Sequence, residues 1–489
     1  MAWEADDRLK EECGVLGVYT PGQDAAPVAF FGLFALQHRG QESAGIAVSD
    51  GSMVRMHKGM GLVNQVFAEQ TTIQGLPGEM AVGHTRYSTT GASVLRNAQP
   101  VYCQSLVGDI AVAHNGNLIN AKELREEMQA EGETFDSTSD SETLARIIVR
   151  NLPEGVEKAV GEVMRRCKGA YSVTVLTPKL LFGFRDPWGV RPLSAGRRGD
   201  GYMIASESCA FEHVGGKADR EVMPGECVVV DKDGMRFFQA AAEPHHSMCL
   251  FEFIYFARPD SKMYGTTLYT ARERMGAKLA LEHPVEADIV VPVPDSGIPA
   301  ALGYSKQTGI PYREGMIKSR YIHRTFIQPD QSMREMGVRM KLTPLEDHIR
   351  GQRVILVDDS IVRGTTTKQI VKLMFEAGAT EVHVRITAPP IKFPCFYGID
   401  MASKGELAAA VMSIEELSSY LGASSLGYLS IQGAVDAVGK TKDHFCLACF
   451  NGDYPIPVSM DQKKHAFDEP PDVGHLAGVA SGQLRLIED

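Results

Sequence analysis

The sequence predicts two unlike halves: stacked antiparallel sheets covered by helices, followed by an α/β unit on a parallel sheet. Three observations carry that prediction. A chain of 489 residues is too long for one hydrophobic core and divides into at least two domains. From Cys13 to about His246, short β-like runs are broken by Gly-rich turns. From about Thr270 onward, apolar β-branched runs alternate with segments of helical period, the βαβ rhythm of a parallel sheet.

In the first half, Gly14–Tyr19, 45–48, 110–113 and 171–176 read as strands. Residues 121–131 and 141–150 have helical period, the second with Asp140 or Ser141 as N-cap. In the second half, Ile289–Pro292, 353–357 and Glu381–Ile386 are the clearest strands, and 369–375 reads as a helix. Between Ser319 and Thr343 lies a segment dense in Arg and Met, with Arg320, Arg324, Arg334 and Arg339 around a Gln328-Pro329-Asp330 turn. By itself it reads as a solvated connector; beside a phosphate site it reads as a lid whose arginines meet pyrophosphate. The polar stretch 460–489 reads as a surface tail.

Composition narrows the class. Hydrophobic content of 44% and charged content of 23% are those of a soluble globular protein. A net charge of −11 without any Lys/Arg-rich run argues against a nucleic-acid partner. No apolar stretch is long enough to span a bilayer, so no membrane partner is expected. Residues 1–12 carry Glu4, Asp6, Asp7, Glu11 and Glu12 and lack an apolar core, unlike a secretory signal. Nine cysteines then suggest reduced thiols, metal ligation or catalysis, and a cytoplasmic location.

The most informative string is 353–367, Arg-Val-Ile-Leu-Val-Asp-Asp-Ser-Ile-Val-Arg-Gly-Thr-Thr-Thr. A buried strand ends in two carboxylates, and a Gly/Thr turn opens the following helix. In open α/β sheets ligands bind at the carboxyl ends of strands, where loop amides and a helix N-terminus offer donors to phosphate. Asp358 and Asp359 would repel a phosphate; they suit ribose hydroxyls or a Mg²⁺ ion on a phosphorylated sugar. Carboxylates for the sugar beside a Gly/Thr loop for its 5′-phosphate form the layout that binds phosphoribosyl pyrophosphate (PRPP). The plainer alternative is an Asp pair that caps a helix. The string closely resembles the PRPP signature of type I phosphoribosyltransferases. That resemblance implies PRPP contacts from Asp358, Asp359, Ser360, Val362, Arg363, Gly364, Thr365 and Thr366, with Arg324 reaching in from the lid. The turn 291–297 (Val-Pro-Val-Pro-Asp-Ser-Gly) reads by itself as a Pro/Gly turn. It resembles the pyrophosphate loop of these enzymes, which implies that Ser296 joins Asp358 and Asp359 in holding Mg²⁺.

Near the start, Cys13 precedes an apolar run, a setting in which a cysteine is most often a small buried residue. Three further segments stand at 36–45 (Leu-Gln-His-Arg-Gly-Gln-Glu-Ser-Ala-Gly), 83–89 (Gly-His-Thr-Arg-Tyr-Ser-Thr) and 113–117 (Ala-His-Asn-Gly-Asn). Together with Cys13 they resemble the glutaminase domain of N-terminal-nucleophile amidotransferases, an αββα sandwich. The resemblance implies a catalytic Cys13, with Asn115 (side-chain amide) and Gly116 (backbone N–H) as the oxyanion hole. It also implies that Arg86 clamps the glutamine α-carboxylate, that Asp140 holds its α-ammonium, and that Arg39 supports the same pocket. Removal of residues 1–12 would give Cys13 a free α-amino group, whose pKa of roughly 7.7–8.0 suits a base for the adjacent thiol. Residues 1–12 are therefore expected to be a propeptide.

Cys446-Leu-Ala-Cys449 is a lone C-x-x-C, a pattern shared by zinc, redox and iron–sulfur sites, while Cys249 and Cys395 stand singly. In context, Ser-Met-Cys249-Leu-Phe-Glu and Phe-Pro-Cys395-Phe-Tyr-Gly resemble the iron–sulfur class of glutamine PRPP amidotransferases. That implies four thiolates, Cys249, Cys395, Cys446 and Cys449, for a 4Fe–4S cluster; four thiolates also suit zinc. Cys103, Cys167, Cys209 and Cys227 have no partner pattern and read as packing residues. Segment 185–192 (Arg-Asp-Pro-Trp-Gly-Val-Arg-Pro) also resembles the family pattern and is assigned to folding and domain packing.

The resemblance spans about 13–455. It implies a glutaminase domain over 13–246, a phosphoribosyltransferase domain over 247–455 and a tail over 456–489. The implied activity is transfer of glutamine-derived ammonia to PRPP, giving 5-phosphoribosylamine, glutamate and pyrophosphate in the committed step of purine synthesis. The implied cofactors are Mg²⁺ and a 4Fe–4S cluster. The implied partners are glutamine, PRPP, purine nucleotide inhibitors and further copies of the chain in a homotetramer. An amidotransferase with another acceptor would carry a different second half, and a PRPP sensor would have no use for Cys13, Arg86, Asn115, Gly116 and Asp140 together.

Overall fold

The computed structural model describes residues 13–87, 93–106, 108–319, 341–401 and 404–458. The expected propeptide 1–12, Ser88 and Thr89, the lid arginines Arg320, Arg324, Arg334 and Arg339, and the tail from 459 onward lie outside the described residues.

The first half forms two antiparallel sheets. One has seven strands in the spatial order Lys217–Glu221, Ser194–Arg198, Gly201–Ala205, Gly14–Tyr19, Met80–Arg86, Ser43–Ser49 and Val54–Met60. The other has six, in the order Gly234–Gln239, Glu226–Asp231, Leu181–Arg185, Gly169–Leu176, Ile110–Leu118 and Val101–Cys103. Strand faces with alternating small and branched residues let the sheets stack: Val15, Ala47, Val82, Ala111, Ala113 and Leu181 form the layer between them. Helix Ala25–Ala35 covers the outer face of the first sheet, and helices Asp140–Asn151 and Val156–Arg166 cover the second. The result is the expected αββα sandwich.

Two expected elements extend further than their apolar runs. The strand expected at 110–113 continues to Leu118, because Asn115, Gly116 and Asn117 pair with Ser172, Tyr171 and Ala170. The helix expected from Ser141 begins at Asp140, and its N-cap is Ser139, whose side chain accepts from the Ser141 amide at 3.3 Å. Asp140 is thereby released from capping.

The second half holds a four-stranded parallel sheet, ordered Ile289–Pro292, Arg353–Asp358, Glu381–Ile386 and Ser425–Tyr428. Buried on both faces, these strands read as continuous apolar runs rather than alternating ones. Helix Thr365–Glu376 begins directly at the Thr triplet, four residues earlier than the apolar period alone shows, with Gly364 in the left-handed region (φ 80°) just before it. Met316–Lys318 pairs antiparallel with Leu342–Pro344, so Leu342 and Thr343, expected in the lid, belong to its base.

Helices Leu268–Glu282 and Ile298–Thr308 cross at two glycines. A Cβ on Gly276 would stand 1.8 Å from the Ala300 carbonyl oxygen, and one on Gly303 1.8 Å from that of Glu273. No rotamer relieves a clash with backbone. Gly303→Ala should therefore lower the first urea-unfolding transition by at least about 2 kcal/mol, measured as a fall in its midpoint at unchanged slope.

Candidate active sites

The register of the first sheet gathers the first site. Gly14 stands opposite Thr85 and Ser43 opposite Arg86, which places Cys13, Arg86 and Glu42 at one end of three neighbouring strands. The Cys13 thiol donates to the Tyr87 carbonyl at 3.4 Å. Burial pushes that thiol up to about 11. The bond to Tyr87 and the Arg86 guanidinium oppose the rise, while the Glu42 and Asp140 carboxylates add to it. Cys13, Arg86, Glu42 and Asp140 thus share one electrostatic pocket. At neutral pH the thiol holds its proton and needs a base to become a nucleophile. Arg86 is buried and stands 3.6 Å from the Glu42 carboxylate.

The second sheet supplies the remaining pieces. The Ile110–Leu118 strand packs across the Cys13 strand. Asp140 accepts the Leu118 amide at 3.0 Å, and its carboxylate lies 4.0 Å from His114 Nδ1. His84 Nε2 meets the His114 carbonyl at 3.0 Å and ties the two sheets together here. Burial lowers His84 to about 3, so its ring is neutral, and Nε2 carries the proton if it donates to that carbonyl. Asn115 is 1% exposed, yet its Nδ2 has no hydrogen-bond partner among the described residues. A buried amide donor without a partner carries a desolvation cost of about 1–3 kcal/mol, and a ligand oxygen would satisfy it. Gly116 follows at φ 141°, where a Cβ would lie 2.0 Å from the Ala170 carbonyl oxygen.

Arg39 lies beneath Cys13. Its Nε donates to the Cys13 carbonyl at 3.0 Å, and its two terminal nitrogens meet Glu207 at 2.6 Å and Glu252 at 2.7 Å. Burial alone would lower the guanidinium pKa; Glu252 and Glu207 outweigh it and raise it. Glu207 is pushed up by burial but held well below the usual carboxylate range by His38 and Arg39. Glu252 belongs to the second half of the chain. Sequence reasoning missed both glutamates, although Glu252 interrupts the apolar run 250–257 (Leu-Phe-Glu-Phe-Ile-Tyr-Phe-Ala), a pattern that signals a paired buried charge.

At the second site, strand Arg353–Asp358 delivers Asp358 and Asp359, both buried, to the carboxyl edge of the parallel sheet. Neither caps the helix that follows. The Asp359 amide donates to Asp358 Oδ1 at 2.9 Å, and the Ser360 hydroxyl donates to Asp359 Oδ1 at 2.6 Å. Ile361 and Val362 bury into the core and anchor the loop, and the Val362 carbonyl accepts from the Ala408 amide at 2.8 Å. Arg363 reaches Glu406 at 3.3 Å. Thr365 and Thr366 form the first turn of the helix, whose positive dipole end suits a phosphate. The 293–297 turn packs against the same strand, with the Val293 amide donating to the Val357 carbonyl at 2.8 Å. Ser296 Oγ is buried there and has no hydrogen-bond partner among the described residues.

Cys249, Cys395, Cys446 and Cys449, drawn from three distant segments, line one small cavity with Arg191 and Tyr397. Cys249 and Cys446 are register partners in a short parallel pair. The Tyr397 amide donates to Cys395 Sγ at 3.3 Å. Burial pushes Cys249 and Cys449 well up and Cys446 to about 12, with Arg191 opposing the rise at Cys249 and Cys446. Among the described residues no group of three or more His, Cys, Asp or Glu is arranged to hold a metal ion as it stands; the thiols surround a space instead. All nine cysteines are free, and Cys103, Cys167, Cys209 and Cys227 are buried packing residues. Segment 185–192 does pack the core: Arg185 is buried and its Nε donates to the Arg191 carbonyl at 2.8 Å. Its Arg191 also donates to the Tyr397 carbonyl, a contact that no sequence pattern signals.

Comparison with known proteins gives each half a family. A glutamine amidotransferase domain family matches residues 84–213, and a phosphoribosyl transferase domain family matches 267–388. The amidophosphoribosyltransferase of Synechococcus elongatus is 50% identical over 467 residues, covering 94% of each chain. That of Archaeoglobus fulgidus is 48% identical, covering 92% of this chain and 99% of its own. A solved structure of the glutamine PRPP amidotransferase from B. subtilis, complexed with ADP and GMP, superposes with a TM-score of 0.86 at 44% identity. It covers 92% of this chain and 99% of that one. The chain belongs to the amidophosphoribosyltransferase family. No helix among the described residues is long and apolar enough to cross a membrane.

The Cys13 environment makes a pH prediction. With its pKa at about 11, a raised value for an acid, the thiolate is scarce at neutral pH and grows about tenfold per pH unit. Alkylation of Cys13 by iodoacetamide in the full chain should rise in that way between pH 7 and 10, followed by mass spectrometry of its peptide. A rate that levels off near pH 8 would show a thiol already activated.

Proposed function

We propose that this chain hydrolyses glutamine at Cys13 and transfers the ammonia to PRPP, giving 5-phosphoribosylamine, glutamate and pyrophosphate at the start of purine synthesis. The observation that carries the proposal is the partnerless Asn115 amide in the strand packed across Cys13, in a chain whose second half presents Asp358, Asp359 and a helix N-terminus to a phosphosugar.

In this reading residues 1–12 are a propeptide whose removal leaves Cys13 with a free α-amino group. That amine takes the thiol proton, and the sulfur attacks the glutamine side-chain carbonyl carbon. Asn115 Nδ2 and the Gly116 amide hold the resulting oxyanion, a contribution of about 3–4 kcal/mol to the barrier. The protonated α-amine gives that proton to the departing nitrogen, so collapse expels ammonia and leaves a thioester, which water hydrolyses to glutamate. Arg86 receives the α-carboxylate, exchanging Glu42 for it, and Asp140 receives the α-ammonium. Arg39, bonded to the Cys13 carbonyl, fixes the nucleophile's backbone rather than the substrate.

At the second site Ser360, Val362, Arg363, Gly364, Thr365 and Thr366 hold the 5′-phosphate, with Arg324 closing over pyrophosphate and Asp358 and Asp359 at the ribose. Exclusion of water there would protect the labile amine product. Asp358, Asp359 and Ser296 fit a Mg²⁺ ion, the buried Ser296 hydroxyl lacking any other partner among the described residues. Such an ion supplies charge neutralisation for the departing pyrophosphate. Feedback by purine nucleotides, a homotetramer and a cytoplasmic location belong to the same proposal.

The four thiols fit a 4Fe–4S cluster by donor set. Buried thiols would ionise only against a cationic centre, and the Tyr397 amide already points at Cys395 Sγ as it would at an iron-bound sulfur. The group would be structural, since the reaction moves no electrons. Anaerobically purified protein should hold about four iron and four sulfide per chain and absorb near 400 nm; colourless protein with zinc and no iron would overturn the assignment.

The deciding assay follows glutamate and pyrophosphate together, anaerobically, with Mg²⁺ and with or without PRPP, on protein whose N-terminus is Cys13. One pyrophosphate per glutamate, both dependent on PRPP, is expected. Cys13→Ala should abolish the glutamine-dependent reaction and keep the ammonia-dependent one, whereas Asn115→Ala should lower kcat with glutamine about 100-fold or more at similar KM. Glutamate release that ignores PRPP would sink the reading.

A further inference from the structure

The wall behind the oxyanion strand comes from the other half of the chain. Asn117 Nδ2 donates to the Phe396 carbonyl at 2.9 Å, across a sequence separation of 279 residues. Gly398, at φ 108°, lies so close that a Cβ on it would stand 3.0 Å from the Gly116 carbonyl carbon and 3.1 Å from its Cα. Between them, the Tyr397 carbonyl accepts Nε and Nη2 of Arg191 at 2.9 and 2.6 Å. Arg191 Nη1 stands 3.8 Å from Glu252, which holds Arg39, which in turn holds the Cys13 carbonyl.

We propose that Phe396–Gly398 is a positioning segment for glutamine hydrolysis, fixing the oxyanion donors and the nucleophile relative to each other. This rests on the assignment of hydrolysis to Cys13, Asn115 and Gly116 made above. One arm runs through Asn117 and Gly116 to the oxyanion hole; the other runs through Arg191, Glu252 and Arg39 to the Cys13 backbone. Donors to an oxyanion act only within about 2.7–3.1 Å of it, so a shift of a few tenths of an ångström is felt in the rate. Neither Asn117 nor Gly398 touches substrate in this scheme. The segment directly follows Cys395, which makes the thiol cavity the anchor of its other end.

The test compares wild type, Asn117→Ala and Gly398→Ala in the full processed enzyme, reading kcat and KM for glutamine, ammonia-dependent transfer to PRPP and thermal midpoint. Asn117→Ala should lower kcat for glutamine about tenfold, leave KM within about twofold and leave ammonia-dependent transfer unchanged. Gly398→Ala should lower kcat about a hundredfold with the same split. If Gly398→Ala does not accumulate, Asn117→Ala decides. Unchanged kcat in Asn117→Ala, or equal loss of both activities with a lower midpoint, would overturn the proposal. Wild-type protein that releases no glutamate would instead overturn the assignment of hydrolysis on which it rests.

Discussion

The structure turns on a buried guanidinium. Arg39 is 1% exposed, and its charge is tolerable only because Glu207 and Glu252, both fully shielded, meet it within hydrogen-bonding distance. Removing either partner would leave an uncompensated charge in a low-dielectric interior, a cost of about 3–5 kcal/mol. One glutamate comes from each half of the chain, so the cluster forms only when the sandwich and the parallel-sheet unit are docked. The same guanidinium binds the Cys13 carbonyl. Docking of the halves and placement of the Cys13 backbone are one electrostatic event.

Much of the fold was legible because the two periodicities are strong. Gly14–Tyr19, Ile289–Pro292 and Glu381–Ile386 fall where their apolar runs end. What the pattern misjudged were ends set by other forces. The Ile110–Leu118 strand runs on through Asn115 and Gly116 because cross-strand pairing, not hydrophobicity, continues it. The helix at 365 starts at threonines, poor helix formers, because the glycine before them makes the turn.

The candidate sites were legible through motifs, and their supports were not. Cys13, Asn115 and the Asp358-Asp359 pair sit in short strings whose residue types announce chemistry. Glu207, Arg191 and Glu252 sit far apart in sequence, and their convergence is a property of tertiary packing alone. Asn117 and Gly398 are the same kind of pair: neither residue type is unusual in its own string, and only the approach of a strand end and a distant loop brings them together.

Because Arg39 takes one carboxylate from each half, the first half is not a transplantable module. Fused to a different acceptor domain, it would carry a half-neutralised arginine beside Cys13 and lack the wall behind its Asn115–Gly116 strand. New acceptor specificity in such a chain would have to arise by changing the parallel-sheet unit in place, around a fixed Glu252 and a fixed 396–398 loop, rather than by exchanging one half for another.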